Sequence, residues 1–287
     1  MSSSLSALNP SHPLFTYLFG TVMGNERVKP LWWRCILDDS SLCVCIRKDN
    51  YINVYYLDGC IAKIEMTGAG EILVTTHRKF LEGIDNTPVT RYYSDISDSF
   101  LHDTEKTVKQ LKHNIEMFYY PDGLQEQEKL SEKYIQWKWA ISHPDIIIDT
   151  EFAYNLDKDI PNLRMDIVRN DRGRLTFVEL KRIGDNRMLR KDRSLQPEVI
   201  TQMRKYADFI SSHSEDLIDY YRKIYDIKRR IGLKVSSYKP VKAEMKPMLS
   251  IALQYNHIES RRRNRIAGIT ERLCSQDFFS YEFIEHE

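Results

Sequence analysis

Asp166, Glu179 and Lys181 are the residues whose types and spacing suit them to chemistry. Glu179 and Lys181 stand two apart in a strand-like run, Leu175–Ile183, and Asp166 lies in a second such run, Leu163–Arg169. Between the runs, Asn170-Asp171-Arg172-Gly173 reads as a turn. Side chains alternate along a strand, so Leu175, Phe177, Glu179 and Lys181 share one face. A symmetric two- or four-residue hairpin sets Asp166 opposite Phe177 and diagonal to Glu179, on that same face. A slip by one residue would break the arrangement. Two carboxylates can hold a hard divalent cation, Mg²⁺ or Mn²⁺, with the Leu180 carbonyl between the two side chains as a further ligand. Such a cation polarises a phosphoryl oxygen and acidifies a bound water, and a nearby lysine stabilises charge developing at phosphorus. This is the chemistry of phosphodiester hydrolysis. Glu-x-Lys alone is common and equally suits a cross-strand ion pair on an exposed hairpin. Asp166 on the same face is what lifts the match above that reading.

The runs RMDIV and VELK resemble motifs II and III of the PD-(D/E)xK nuclease superfamily. Gln202-Met-Arg-Lys-Tyr206 matches the Q-x-x-x-Y signature on the helix that follows the catalytic hairpin in many such enzymes. Upstream, Ser131-Glu-Lys-Tyr-Ile-Gln-Trp-Lys-Trp-Ala-Ile-Ser-His-Pro144 resembles the family's first helix, whose acidic residue completes the metal site. Together these features point to the Shedu-type nuclease domain of bacterial antiphage defence, over about residues 125–285. The resemblance implies a restriction-endonuclease-like mixed sheet flanked by helices. It implies metal ligation by Asp166, Glu179, the Leu180 carbonyl and Glu132, with Gln202 beside Lys181 in the catalytic set. It implies DNA as substrate, with RNA not excluded, and a partner protein of a defence system. One such site cuts one strand, so a double-strand cut needs two sites or two events, and a homo-oligomer would bring two sites together.

Each carried-over residue has a plainer alternative. Glu132 is an ordinary helix-surface Glu if Glu126 or Glu128 takes its role, and Tyr206, four residues after Gln202 on one helix face, also suits a core. Glu151 is a further acidic candidate at a strand edge, where a surface role is commoner. Arg182, Arg187, Arg190, Lys191 and Arg193 follow the catalytic strand, where a basic patch would track backbone phosphates without reading sequence; Tyr206 joins them as a nucleic-acid contact. Lys228–Arg230 and Arg261–Arg265 read as solvated helix faces. The eight histidines form no H-x-x-H or H-x-H pair, and there is no P-loop.

The elements that position these residues follow from periodicity. Gln125–Ser142 is amphipathic and stops before His143-Pro144. Strands are predicted over Thr150–Tyr154, Leu163–Arg169 and Leu175–Ile183, then helices over Glu198–Ser211 and Ser214–Ile231. Pro247–Gln254 reads as a strand, Asn264–Cys274 as a helix and Phe278–Ile284 as a last strand. The first half reads as β: strands near 32–37, 42–47, 52–57, 60–66 and 71–76, with Asp58-Gly59 as a hairpin signal, then a helix over Asp103–Tyr119. Tyr120-Pro121-Asp122-Gly123 breaks the chain. The organisation predicted is α/β: a smaller, mostly β domain over 1–122 for recognition, regulation or oligomerisation, and a nuclease domain over 123–287. Tyr51, Tyr55, Tyr56, Trp32 and Trp33 suit either a base-stacking platform or a core.

With 42% hydrophobic and 29% charged residues and a net charge of +1, the chain has no global basic field, so nucleic-acid contact must come from local clusters. The five cysteines follow no zinc spacing, and four lie in strand-like apolar runs, which suits a reducing cytoplasm. The apolar run Pro13–Met23 is too short and broken to span a bilayer and reads as a short packed helix, so no membrane association is expected. The alternative to a nuclease is a catalytically silent nucleic-acid-binding or regulatory protein on the same fold.

Overall fold

The computed structural model describes residues 5–57, 59–124, 131–154, 163–189, 196–253 and 259–285. The first half opens with α1 (Pro13–Phe19), the hairpin β1 (Thr21–Met23) and β2 (Glu26–Val28), and α2 (Leu31–Asp38). There follow β3 (Cys43–Arg47), β4 (Tyr51–Tyr56), β5 (Gly59–Met66), β6 (Ile72–His77), β7 (Thr87–Pro88) and β8 (Tyr93–Asp95). The half closes with α3 (Ser97–His102) and α4 (Thr104–Tyr119). Strands β3 to β8 form an antiparallel sheet in the order β3-β4-β5-β6-β8-β7. On α4, Val108, Leu111 and Ile115 recur on one face and are buried. A methyl group on Gly59 would stand 2.5 Å from Ile115 Cδ1, so only glycine lets helix and strand approach this closely.

One predicted strand is a helix. Residues 31–38 (LWWRCILD) bury Trp32, Trp33 and Ile36, and Pro30 caps the start, where its missing N–H costs nothing. Aromatic and β-branched content suggests a strand, but burial at i, i+1 and i+4 is helical. Cys35 is therefore a helix residue, and Trp32 and Trp33 are core. Tyr56 packs edge-on against Trp137, and Arg47 lies over the Tyr55 ring. None of the five aromatics proposed as a stacking platform presents an exposed ring.

The second half comprises α5 (Glu132–Ser142), β9 (Ile147–Tyr154), β10 (Leu163–Asp171), β11 (Arg174–Arg182), α6 (Glu198–Ile231), β12 (Lys242–Ala243), β13 (Met248–Ala252), α7 (Glu259–Leu273) and β14 (Ser280–Ile284). Its sheet runs β14-β13-β11-β10-β9, with β12 beside β11. β9, β10 and β11 pair antiparallel, whereas β11, β13 and β14 pair parallel, so the sheet is mixed. Helix α5 covers one face through Ala140 against Ile167 and Val178, and α6 covers the other through Phe209 and Tyr221 near Phe152 and Phe177. Fold class and helical flanking agree with expectation. The expected helix start at Gln125 falls in residues 125–130, outside the described residues, and α7 begins five residues before the expected Asn264.

The two helices expected over 198–231 are both present and follow one another across a kink at His213, whose φ and ψ, −127° and 20°, are not helical. The Ser212 hydroxyl donates to the Asp208 carbonyl at 2.8 Å, and the His213 ring stacks on Phe209 at 4.5 Å. Back-bonding of this kind accompanies a kink.

The halves meet where edge strand β3 faces edge strand β9. Arg47 donates to Asp149 Oδ1 at 3.1 Å and to the Thr150 carbonyl at 2.8 Å. Cys45 Sγ lies 3.1 Å from Thr150 Oγ1, and Trp33 Nε1 donates to the Ile231 carbonyl at the end of α6 at 2.9 Å. One buried apolar cluster holds Phe15, Trp33 and Ile64 together with Phe177, Tyr221 and Ile231. Among the described residues no helix is long and apolar enough to cross a membrane.

Candidate active site

Both residues of the turn between β10 and β11, Arg172 and Gly173, have positive φ, 49° and 84°. This is the mirror-image two-residue turn that matches strand twist. It pairs Asp171 with Arg174 and ends with Ile167 opposite Val178. Continued, this register sets Asp166 opposite Glu179, not Phe177. The difference is two residues, an even number, so the expected face survives although the expected partner does not.

Beyond Ile167 the ladder opens. The Leu180 N–H donates not to a backbone carbonyl but to Asp166 Oδ2, at 2.9 Å. The Asp166 carbonyl is taken by Gln136 Nε2 of α5 at 2.5 Å. Side chains thus replace ladder bonds, and the backbone groups freed by the opening stay satisfied. Glu179 and Lys181, both on β11, are only 3% and 2% exposed.

Glu179 is gripped from α6. Gln202 Nε2 donates to its Oε1 at 2.7 Å and the Tyr206 hydroxyl donates to Oε2 at 3.0 Å. Gln202 also donates to the Tyr206 oxygen at 2.7 Å, and the same hydroxyl contacts the Arg164 carbonyl. A spacing of four residues on a helix is what lets both side chains reach one carboxylate. Lys181 Nζ pairs with Glu179 Oε1, donates to the Leu180 carbonyl at 2.8 Å and lies 3.7 Å from Glu132 Oε2. Glu132, in the first turn of α5, also accepts from the Arg182 N–H at 3.3 Å and faces Arg187 at 3.7 Å.

Burial pushes the Glu179 carboxyl up to about 7, with the Asp166 charge adding to the effect and Lys181 opposing it. Burial also raises Glu132. For Lys181, burial disfavours the charge, but Glu179, Asp166 and Glu132 outweigh it and hold the ammonium protonated. Two neighbouring carboxylates, one driven toward neutrality first by burial and then by the other's charge, suit an added cation. With the Leu180 carbonyl they form an all-oxygen donor set, the kind a hard divalent cation takes. Among the described residues no three His, Cys, Asp or Glu side chains converge as a ligand group. A cation would draw on Asp166, Glu179 and the Leu180 carbonyl, with Glu132 beside them at 3.7 Å from Lys181.

The structure brings together Asp166, Glu179, Leu180, Lys181, Gln202, Tyr206 and Glu132. Tyr206 is corrected in role: at 5% exposure, with its hydroxyl on Glu179, it positions a carboxylate and presents no surface to nucleic acid. Arg182 is exposed at the end of β11. Arg187 is held by Asp185, its Nε at 3.0 Å from both carboxylate oxygens, which offsets its charge toward a phosphate. Arg190, Lys191 and Arg193 lie outside the described residues, as do Glu126 and Glu128. Glu151 pairs with Arg164 at 2.6 Å and with Lys133 and takes no part. Two participants escaped the sequence reading as individuals. Gln136 sits one helical turn after Glu132, a spacing that could have flagged it. Arg265 of α7 donates to the Ile183 and Asp185 carbonyls, the latter at 2.8 Å, and straps the turn after β11; its distance in sequence gave no signal. No protein-family model matches the chain, and neither curated proteins nor solved structures gave a match.

Proposed function

We propose that this chain is a divalent-metal-dependent nuclease of the PD-(D/E)xK type, cutting DNA phosphodiester bonds. The observation that carries the reading is the meeting of Asp166, Glu179 and Lys181 where the β10–β11 ladder opens, with Gln202 and Tyr206 both bonded to Glu179. Mg²⁺ or Mn²⁺ bound by Asp166, Glu179 and the Leu180 carbonyl would supply Lewis acidity toward a phosphoryl oxygen and a more acidic water. Lys181, kept charged by three carboxylates, supplies a donor for charge developing on the phosphate. Gln202 and Tyr206 fix the Glu179 rotamer, so no ordering is needed at the moment of reaction. Glu132, 3.7 Å from the Lys181 ammonium, gives it up as substrate charge arrives. Arg182, exposed beside the site, contacts a flanking phosphate.

A role in antiphage defence, a cytoplasmic setting, a homo-oligomer and a defence-system partner belong to the same proposal and rest on the Shedu-type resemblance. The silent-binder alternative draws on one feature: Lys181 already satisfies Glu179 and the Leu180 carbonyl internally. Incubating the full chain with linear, circular and single-stranded DNA, with Mg²⁺, Mn²⁺ or EDTA, separates the two. Cleavage that needs the cation supports the nuclease; full cleavage in excess EDTA, or none under any condition, overturns it.

A further inference from the structure

The first half carries a second cluster of chemistry-bearing side chains that shares no residue with the candidate active site. His77 ends β6, Arg78 and Lys79 follow it, Arg91, Tyr92 and Tyr93 lie between β7 and the start of β8, and Phe118 and Tyr119 close α4. Their rings form a connected series. His77 lies 5.5 Å from Tyr93 and 6.3 Å from Tyr92, and 6.2 Å from Phe80; Phe80 then meets Phe118 at 5.8 Å and Tyr119 at 6.0 Å. Phe80 is core, but Tyr92, Phe118 and Tyr93 are 55%, 51% and 45% exposed. Scattered exposed apolar residues are ordinary; here three exposed rings flank one core ring, Phe80, and His77 beside it.

Cations are interleaved with these rings. Lys79 Nζ stands 4.8, 4.6 and 4.7 Å from the centres of Phe80, Phe118 and Tyr119 and donates to the Tyr119 hydroxyl at 2.7 Å. The Arg91 guanidinium lies 5.4 Å from the Tyr92 ring, and Arg78 Nε donates to Ser94 Oγ at 3.3 Å. Among the described residues Arg78, Lys79 and Arg91 form no ion pair with a carboxylate, whereas Lys63, Lys112, Arg164, Arg174 and Lys239 each do. Glu82 and Asp85 stand exposed on the intervening loop, so the local charge excess is small and the rings dominate the surface.

We propose that this surface binds single-stranded nucleic acid, with bases stacked on Tyr92, Tyr93 and Phe118 and the backbone lying along Arg78, Lys79 and Arg91. Flat exposed rings beside unpaired cations match a strand whose base faces are free and whose phosphates are evenly spaced. A duplex hides its base faces in its own stack and leaves the rings without partners. An acidic peptide satisfies the cations but not the rings. The proposal stands whether or not the candidate active site cuts, and it extends the nuclease reading by giving the chain a preference for unpaired strands.

The test is fluorescence anisotropy of the full chain in EDTA with labelled oligothymidine, the same strand in duplex form, and polyglutamate. Oligothymidine is expected to bind at least ten-fold tighter than either. Tyr92→Ala, Tyr93→Ala and Phe118→Ala are each expected to weaken it about five-fold or more, the scale of one lost base stack. Tyr92→Leu, which keeps apolar bulk but not the flat ring, should lose as much as Tyr92→Ala. Arg91→Gln should shallow the slope of log affinity against log salt by about 0.7. Equal binding of duplex or polyglutamate overturns the proposal, as does unchanged oligothymidine affinity in the triple alanine variant shown folded by circular dichroism. Glu179→Ala keeps the two readings apart: it should abolish cleavage, and in that background Tyr92→Ala should still weaken oligothymidine binding by the same factor.

Discussion

Glu179 sits between opposing demands: burial and Asp166 push its carboxyl up to about 7, while Lys181, Gln202 and Tyr206 favour the charged form. Tyr206→Phe removes one of those donors and also strips the Arg164 carbonyl of its contact. Loss of ~1–3 kcal/mol of stability is expected from the unsatisfied buried groups, with a several-fold slower cut. Thermal unfolding and initial rates check this, and an unchanged melting temperature would count against a built-in grip on Glu179. A second buried carboxylate gives a pH signature. Burial raises Asp149 to about 7 even though Arg47 opposes the shift. Between the unfolded value near 4 and the folded value near 7, the folded state binds the extra proton, so stability falls as pH rises through that window. Asp149→Asn should flatten the decline between pH 5 and 8 in thermal melts; an identical slope in both proteins would show that Asp149 is ionised throughout. At this scale the trio Asp166, Glu179 and Lys181 was legible because a strand has a period of two. Gln136 and Arg265 were not, since each reaches the site through a backbone carbonyl, and any donor can do that.

Register is the property on which the hairpin depends. The sequence pointed to a turn at 170–173, but not to which two residues would take positive φ, so Asp166 was assigned Phe177 as partner. Only the even size of the difference kept the carboxylates on one face. Gly173→Ala tests how firmly the turn is set. The new methyl would adopt φ near 84° and stand 2.9 Å from the Lys239 carbonyl. A loss of ~1–3 kcal/mol is expected in chemical denaturation, and no loss would mean that the turn relaxes freely. The α2 helix was missed because Trp, Ile and Cys favour strands in general, and Pro30 as a cap decided otherwise. The break between the two helices was legible because Ser-Ser-His-Ser is a poor helix sequence locally, and His213 is the residue that leaves helical geometry there.

Across the whole molecule, α1 packs on α6, Trp33 of α2 donates to the Ile231 carbonyl at the end of α6, and β3 meets β9 through Arg47 and Cys45. The turn signal Tyr120-Pro121-Asp122-Gly123 suggested a boundary; it could not show that the apolar cluster runs across it. A fragment beginning at Gly123 would expose the face of α6 that Phe15, Leu18 and Trp33 cover, at ~1.5–3 kcal/mol per large side chain. Poor solubility or a broad, weakly cooperative melt is expected, and a sharp melt near that of the full chain would show the second half to be self-sufficient. Whether the whole molecule is a working nuclease or a silent binder is decided by plasmid cleavage in Mg²⁺ by Lys181→Ala, beside Glu179→Ala and the unaltered chain. Lys181→Ala leaves both carboxylates in place, so calorimetry should still record Mg²⁺ binding while cleavage falls by about two orders of magnitude or more. Glu179→Ala should lose both. Near-normal cutting by a folded Lys181→Ala protein would contradict the assignment of the site.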